Sequence, residues 1–94
     1  MKAARASAVI KFTDIPNVGP RVAGDFKTLG IKTPSELKKK TGIGLYKALC
    51  KKTNSRQDPC VLDTFIAVVD FMNGAPAAPW HYYTAERKNK YPNI

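Results

Sequence analysis

The segment that most constrains the fold is apolar around most of a helical circumference. It starts at Asp58-Pro59, a pair typical of a helix cap followed by the first helical position, and ends at Asn73-Gly74. Its apolar residues recur every three or four positions on two faces: Leu62, Phe65, Ile66, Val69 and Met72, and then Val61, Val68 and Phe71. Such a helix is either enclosed by the rest of the chain or partly a subunit contact. Residues 58–74 are therefore predicted to be the central helix.

Other segments predict helices that surround it. Residues 8–15 are a short apolar stretch, and residues 21–29 carry one apolar face between Pro20, as first helical position, and Gly30, as the stop. A capping-box pattern over residues 33–36 starts a short helix to about residue 40, and helical spacing resumes over residues 45–53. With no alternating strand pattern, we expect an all-α, compact five-helix domain spanning residues 1–94. Its parts are residues 7–31, 33–53 and 58–74, followed by an extended, irregular tail, residues 75–94, rich in aromatic and basic residues.

The positive charge is concentrated in the first half of the chain. The formal net charge is +9, and residues 1–53 hold twelve Lys or Arg against three Asp or Glu. Residues 54–79 carry a net charge of −2 and residues 80–94 one of +2. This balance points to a polyanionic partner, either nucleic acid or an anionic membrane surface. The simpler alternative is a lysine-rich surface that keeps a small protein in solution.

Residues 14–31 contain the pattern with the clearest chemical meaning. Pro16 and Asn17 predict a tight turn, because Asn tolerates positive φ, and Val18 would insert into the core. The backbone N–H groups of Gly19, Arg21 and Val22 would then lie free at the positive end of the following helix, where an anion binds. The stretch resembles the helix-hairpin-helix motif, which often has Gly where this chain has Asn17. The predicted phosphate-binding residues are Asn17, Val18, Gly19, Arg21, Val22 and Lys27.

Gly42-Ile43-Gly44 offers a second and weaker candidate for a phosphate-binding hairpin. Neighbouring lysines support it. The favoured alternative is a helix break capped at or near Thr41, with the lysines facing water. The candidate second contact comprises Lys38, Lys39, Lys40, Gly42, Gly44 and Lys47.

Longer stretches resemble one protein family across residues 12–88. LYKALC, DPCVLD and PWHYYTAERK are its most specific segments, and the family is the small bacterial one described as pathogenicity locus or mitomycin-resistance proteins. The resemblance implies a helix-hairpin-helix (SAM-like) DNA-binding fold and no particular reaction. Gly42-Ile43-Gly44 departs from it, since an ordinary helix start is expected there.

The remaining chemistry-bearing residues favour structural roles. Trp80, Tyr82, Tyr83 and Tyr91 lie among basic residues and could stack on single-stranded bases. The favoured interpretation is that Trp80 and Tyr83 fold back to cover the central helix. Cys50 and Cys60 are expected to be buried thiols, and one histidine without a CxxC pair predicts no metal site and no cofactor.

Asp58, Asp63 and Asp70 are weak catalytic candidates, because Asp63 and Asp70 stand about 10.5 Å apart along one helix. We therefore expect no enzymatic activity.

These observations predict a cytoplasmic, non-sequence-specific DNA-binding protein, with duplex favoured over single strands. Residues 1–11 lack the apolar core of a secretory signal, and no apolar run reaches the length of a membrane span. DNA repair, recombination or a stress response would be its setting. The alternative is a protein–protein interaction module that uses the apolar helix 59–73, with the hairpin as scaffold and a second copy or another protein as partner.

Overall fold

The apolar segment forms the central helix of the domain, as its pattern predicts. It runs from Pro59 to Met72, and Leu62, Phe65 and Val68 on it are fully buried. The helix over residues 42–53 and the C-terminal helical segments pack along it. Both of its predicted apolar faces are therefore covered by the chain itself.

The structure, a computed structural model, describes residues 2–94, which are helical throughout their regular parts. The α-helices are α1 (Pro20–Thr28), α2 (Gly42–Thr53), α3 (Pro59–Met72) and α4 (Thr84–Lys90). Short 3₁₀ helices cover Ala6–Ala8, Phe12–Asp14, Pro34–Lys39 and Trp80–Tyr83. The prediction of a compact all-α fold is confirmed for this part of the chain. None of these helices is long and apolar enough to cross a bilayer.

The prediction of an extended C-terminal tail is wrong for residues 80–90. Within the predicted tail, residues 75–79 and 91–94 lack regular structure, whereas Trp80–Tyr83 is a 3₁₀ helix that continues into α4. A seven-residue helix is too short to be stable alone, so its local sequence gives little indication of it. Tyr83 is buried against the central helix, as the favoured interpretation predicts, whereas Trp80 keeps 39% of its surface exposed.

A buried ion pair holds α4 against α3. The guanidinium of Arg87 donates from Nε to Asp63 Oδ1 at 2.8 Å and from Nη2 to Oδ2 at 3.3 Å. Thr84 Oγ1 donates to the same Oδ2 at 2.8 Å. The hydrogen bond to Asp63 raises the pKa of Arg87 above its usual value. Because the carboxylate of Asp63 is fully buried and engaged by both partners, it serves structure and is not free to act as a catalytic acid or base.

Helix α1 begins and ends close to the residues that the sequence predicts. Pro20 is its first residue, and Gly30, at φ +78°, follows its C-cap. The Gly30 N–H bonds the Lys27 carbonyl and the Ile31 N–H bonds the Phe26 carbonyl, which together make a Schellman motif. Ile31 and Phe26 are both buried, so the motif directs the chain into the core.

The start of α2 differs from the prediction of a helix resuming at residue 45. The helix begins at Gly42, and Thr41 is its N-cap, with Oγ1 accepting the Gly44 N–H at 3.1 Å. The glycine pair therefore lies in the first helical turn, as the capped alternative states, and does not interrupt the helix. A Cβ atom on Gly42 would stand 2.9 Å from both the N and the Cα of Ile66, so glycine lets α2 approach the α3 backbone closely.

Replacing Gly42 by alanine should lower stability, because the added methyl meets backbone that cannot move aside cheaply. We expect a loss of about 1–3 kcal/mol in the free energy of unfolding, measured by urea denaturation. Gly24→Ala is the matched control: it is exposed within α1, and its Cβ would meet no atom within 4 Å. That control should gain about 0.5–1 kcal/mol. Equal stability of the Gly42→Ala variant and the wild type would contradict the close α2–α3 packing.

Candidate phosphate-binding hairpin

The turn before α1 has the predicted geometry. The Val18 N–H donates to the Ile15 carbonyl at 3.1 Å, with Pro16 and Asn17 between them. Asn17 adopts φ +73°, so Pro at the second position and a left-handed residue at the third give the features of a type II turn. Ile15 and Val18 are fully buried and fix both ends of the turn in the core.

The segment before this turn is shorter than a helix-hairpin-helix motif requires. Phe12–Asp14 is a single 3₁₀ turn, and Ala6–Ala8 is another, so the first helix of the predicted motif over residues 7–31 is missing as an α-helix. The Asp14 carboxylate accepts the N–H groups of Ile10 and Lys11, each at 3.0 Å, which closes the turn locally. These hydrogen bonds lower the pKa of Asp14. Pro16 follows two residues later and prevents the turn from growing into a longer helix.

Three N–H groups at the start of α1 lack a protein acceptor among residues 2–94. They belong to Gly19, Arg21 and Val22, the predicted donors; Pro20 between them has no N–H. Gly19 is the N-cap, and a Cβ atom built on it would meet nothing within 4 Å. The donors therefore lie at the positive end of the helix dipole behind an open approach, which is the arrangement that binds an oxyanion.

Asn17 and Val18, both predicted to bind phosphate, have other roles. The Asn17 side chain donates from Nδ2 to the Ala78 carbonyl at 2.8 Å and accepts the Trp80 N–H on Oδ1 at 3.0 Å. Val18 uses its N–H within the turn and buries its side chain. These two residues shape the hairpin and tie it to the tail, so their side chains are not available to a phosphate.

Lys2 adds a cation that the sequence pattern gave no reason to place here. Its ammonium donates to the Thr13 carbonyl at 2.7 Å and to the Val18 carbonyl. Both carbonyls belong to the hairpin, so the positive charge is held beside the turn. Nothing in the local spacing could reveal this contact, because eleven to sixteen residues separate the partners.

A cleft of about 160 Å³ opens next to the hairpin. It is lined by residues from α1, α3 and the tail: Arg21, Val22, Asp25, Cys60, Val61, Thr64 and Trp80. Partial burial raises the pKa of Asp25, and the positive charge of Arg21 opposes that shift. Trp80 keeps 39% of its surface exposed here. The cleft thus joins an aromatic ring to the helix end that carries the free N–H groups.

The other predicted contacts lie away from this cleft. Lys27 is exposed on α1, about 9 Å along the axis from Arg21 and on a different side of the helix. Lys38, Lys39, Lys40 and Lys47 are exposed around the start of α2. Lys39, Lys40 and Gly44 line a separate groove of about 350 Å³ beside the end of α1. Because Thr41 accepts the Gly44 N–H and Gly42 is buried, this region is a capped helix start with lysines around it, not a second hairpin.

Both cysteines are free and half-buried. Among the described residues, no group of three or more His, Cys, Asp or Glu side chains is arranged to hold a metal ion. The hairpin and its cleft present N–H donors, the cation of Arg21, the carboxylate of Asp25, the thiol of Cys60 and the ring of Trp80.

Comparisons with known proteins give a consistent result. Residues 5–89 match a protein family described as "Pathogenicity locus". The "Mitomycin resistance protein McrB" of Streptomyces lavendulae is 41% identical over 76 residues, which cover 81% of this chain and 72% of that protein. No solved structure matches the chain. The family resemblance in the sequence motifs is confirmed.

Asn17 should couple the hairpin to the tail. In an Asn17→Gly variant the left-handed turn remains accessible, but both side-chain hydrogen bonds to the tail are lost. We expect a loss of about 1–2 kcal/mol in the free energy of unfolding and faster hydrogen exchange at the Trp80 amide.

The exchange rate of the Tyr91 amide, which bonds the Arg87 carbonyl within the C-terminal segment, is the internal control. Its rate should change less than that of the Trp80 amide. Unaltered exchange at Trp80 would show that Asn17 does not hold the tail.

Proposed function

This chain belongs to the pathogenicity locus family, and we propose that it is a DNA-binding protein that binds backbone phosphates through residues 19–22. The supporting observation is the set of three N–H donors, on Gly19, Arg21 and Val22, without a protein acceptor in the described residues. They stand at the start of a nine-residue helix behind an open approach. A phosphate oxygen is the ligand that such donors suit best.

Contacts of this kind favour binding without sequence preference. Backbone N–H groups and cations recognise phosphate, which is the same at every nucleotide, whereas base edges carry the sequence information. The turn and the following helix resemble a helix-hairpin-helix motif whose first helix is reduced to one 3₁₀ turn. We assign this chain the phosphate-binding role of that motif.

The charge distribution supports the same partner. Residues 1–53 hold twelve of the sixteen Lys and Arg, and they include the hairpin, α1 and α2. Lys2 and Arg21 stand at the hairpin itself, where they would make charge-assisted contacts to neighbouring phosphates. The excess charge would also steer a polyanion toward this end of the domain.

The alternative of a protein-binding surface on α3 gains little support. Its apolar residues face α2, the 3₁₀ helices and α4, and most of them are buried within the chain. An interface built on this helix would require those elements to move away first. The hairpin, in contrast, presents its donors without rearrangement.

A Gly19→Glu substitution should weaken DNA binding, because it places a carboxylate in front of the free N–H groups. We expect at least a 10-fold rise in Kd for a random duplex at low salt, measured by fluorescence anisotropy. For the wild type, about 2–4 phosphate contacts predict a slope of log K against log salt of about −2 to −4, and the variant should lose about one unit of slope. A wild-type slope near twice this range would indicate that the lysines around the start of α2 also contact phosphate.

Gly24→Glu is the matched control, since it makes the same charge change at an exposed glycine inside α1 that also has open space around it. It should raise Kd by no more than about threefold, through the altered net charge alone. Equal losses in both variants would mean that only net charge matters and would refute a specific hairpin site.

The name of the Streptomyces relative suggests a test of this function in cells. We propose that this chain also confers resistance to mitomycin, through its DNA contact. Expression in a sensitive bacterium should raise survival on the drug, and the Gly19→Glu variant should lose this effect while Gly24→Glu keeps it. Full protection by Gly19→Glu would separate resistance from the hairpin.

A further inference from the structure

Trp80 is the one tryptophan of the chain, and it is fixed beside the hairpin while 39% of its surface stays exposed. Asn17 accepts its backbone N–H and donates to the Ala78 carbonyl two residues earlier. The indole ring packs edge-on against His81, with 5.7 Å between ring centroids. The two hydrogen bonds fix the backbone from Ala78 to Trp80, so a ligand that stacks on the ring has less backbone freedom to remove.

The position of Trp80 fits a nucleotide better than a phosphate alone. Trp80 lines the same cleft as Arg21 and Val22, two of the three residues with free N–H groups. A nucleotide joins an anionic phosphate to a flat base through one sugar. An anchor for the phosphate and an aromatic surface for the base therefore have to lie side by side, as they do here.

The one carboxylate that lines the cleft indicates which part of a nucleotide would lie inside it. Asp25 lies in the cleft and would repel a phosphate placed inside it. Each base has an amino or an imino N–H group on its edge, and carboxylates accept hydrogen bonds from such groups. The charge pattern thus favours phosphate at the helix end and base within the cleft.

We propose that Trp80 stacks on an unpaired base of the DNA whose phosphate is bound by residues 19–22. The inference rests on the proposed DNA binding and adds its substrate class: single strands, or duplexes with a single-stranded end. In an intact duplex the bases are stacked on one another and cannot reach the ring. The preferred DNA should therefore be one with unpaired nucleotides, in place of the duplex that the sequence alone favours.

The test compares two DNA pairs of matched charge by anisotropy and by the fluorescence of the single tryptophan. One pair is a duplex with a single-stranded overhang and a blunt duplex with the same number of phosphates. The other is a short thymidine oligonucleotide and an abasic oligonucleotide of the same length. The wild type should bind the base-containing overhang and oligonucleotide more tightly, and only these should quench Trp80 fluorescence.

Trp80→Ala should lower affinity for the overhang about 5- to 100-fold and leave blunt-duplex affinity within twofold. Trp80→Phe keeps an aromatic face and should retain most of the preference, which separates stacking from a loss of folding. Tyr82→Ala is the control for an exposed aromatic outside the cleft, since Tyr82 is 71% exposed, and it should change neither affinity.

Each result bears on one proposal. Equal wild-type binding to all base-containing and abasic DNA, without quenching, would overturn stacking and leave the hairpin function standing. Absence of binding to any of these DNAs at low salt would overturn the DNA-binding function itself.

Discussion

The buried pairing of Asp63 with Arg87 is the constraint on which the C-terminal half of the structure depends. A charged pair inside a core is stable only when its geometry is close and its remaining hydrogen-bonding positions are filled, and Thr84 fills one of them. The seven-residue α4 is too short to persist alone, so this pair holds it in place. With α4 fixed on α3, the preceding 3₁₀ helix and Tyr83 also lie across the central helix.

The same anchoring brings the tail to the hairpin. From Met72 to Trp80 the chain crosses an irregular segment and arrives beside Asn17, more than sixty residues earlier in sequence. Glycine at position 17 would satisfy the left-handed turn but could not bond the tail. Asparagine does both, which gives a physical reason for the departure from the usual motif. The two ends of the sequence thus form one surface, in which the hairpin supplies N–H donors and the tail supplies Trp80.

Sequence signals that act within one or two helical turns predicted much of this structure. The features that were missed depend on contacts between residues far apart in the sequence. Pro20, Gly30 and the apolar pattern of α3 act within one or two helical turns, and the corresponding helix ends were placed correctly. The tail helix depends on a partner 24 residues away, and the lysine at the hairpin on carbonyls up to 16 residues away, so no local pattern encodes them. Asp63 and Asp70 both interrupt the apolar pattern of α3, but only Asp63 is buried, so the sequence does not tell which of them needs a cation from elsewhere in the chain. The free donors of the hairpin were predicted, while the adjoining cleft was not, because its walls come from three separate segments.

A contrast among the glycines supports the proposal that the hairpin binds a ligand. Gly42 is required by the α3 backbone, and Gly30 by its positive φ. Gly19 has neither requirement, since its φ is −98° and a Cβ atom there would meet nothing. The fold would accept a larger residue at this position, and Ser, Thr or Asp would even cap the helix better, by occupying one of the free N–H groups. A glycine that leaves those donors open suits a site where the missing acceptor is supplied from outside the chain.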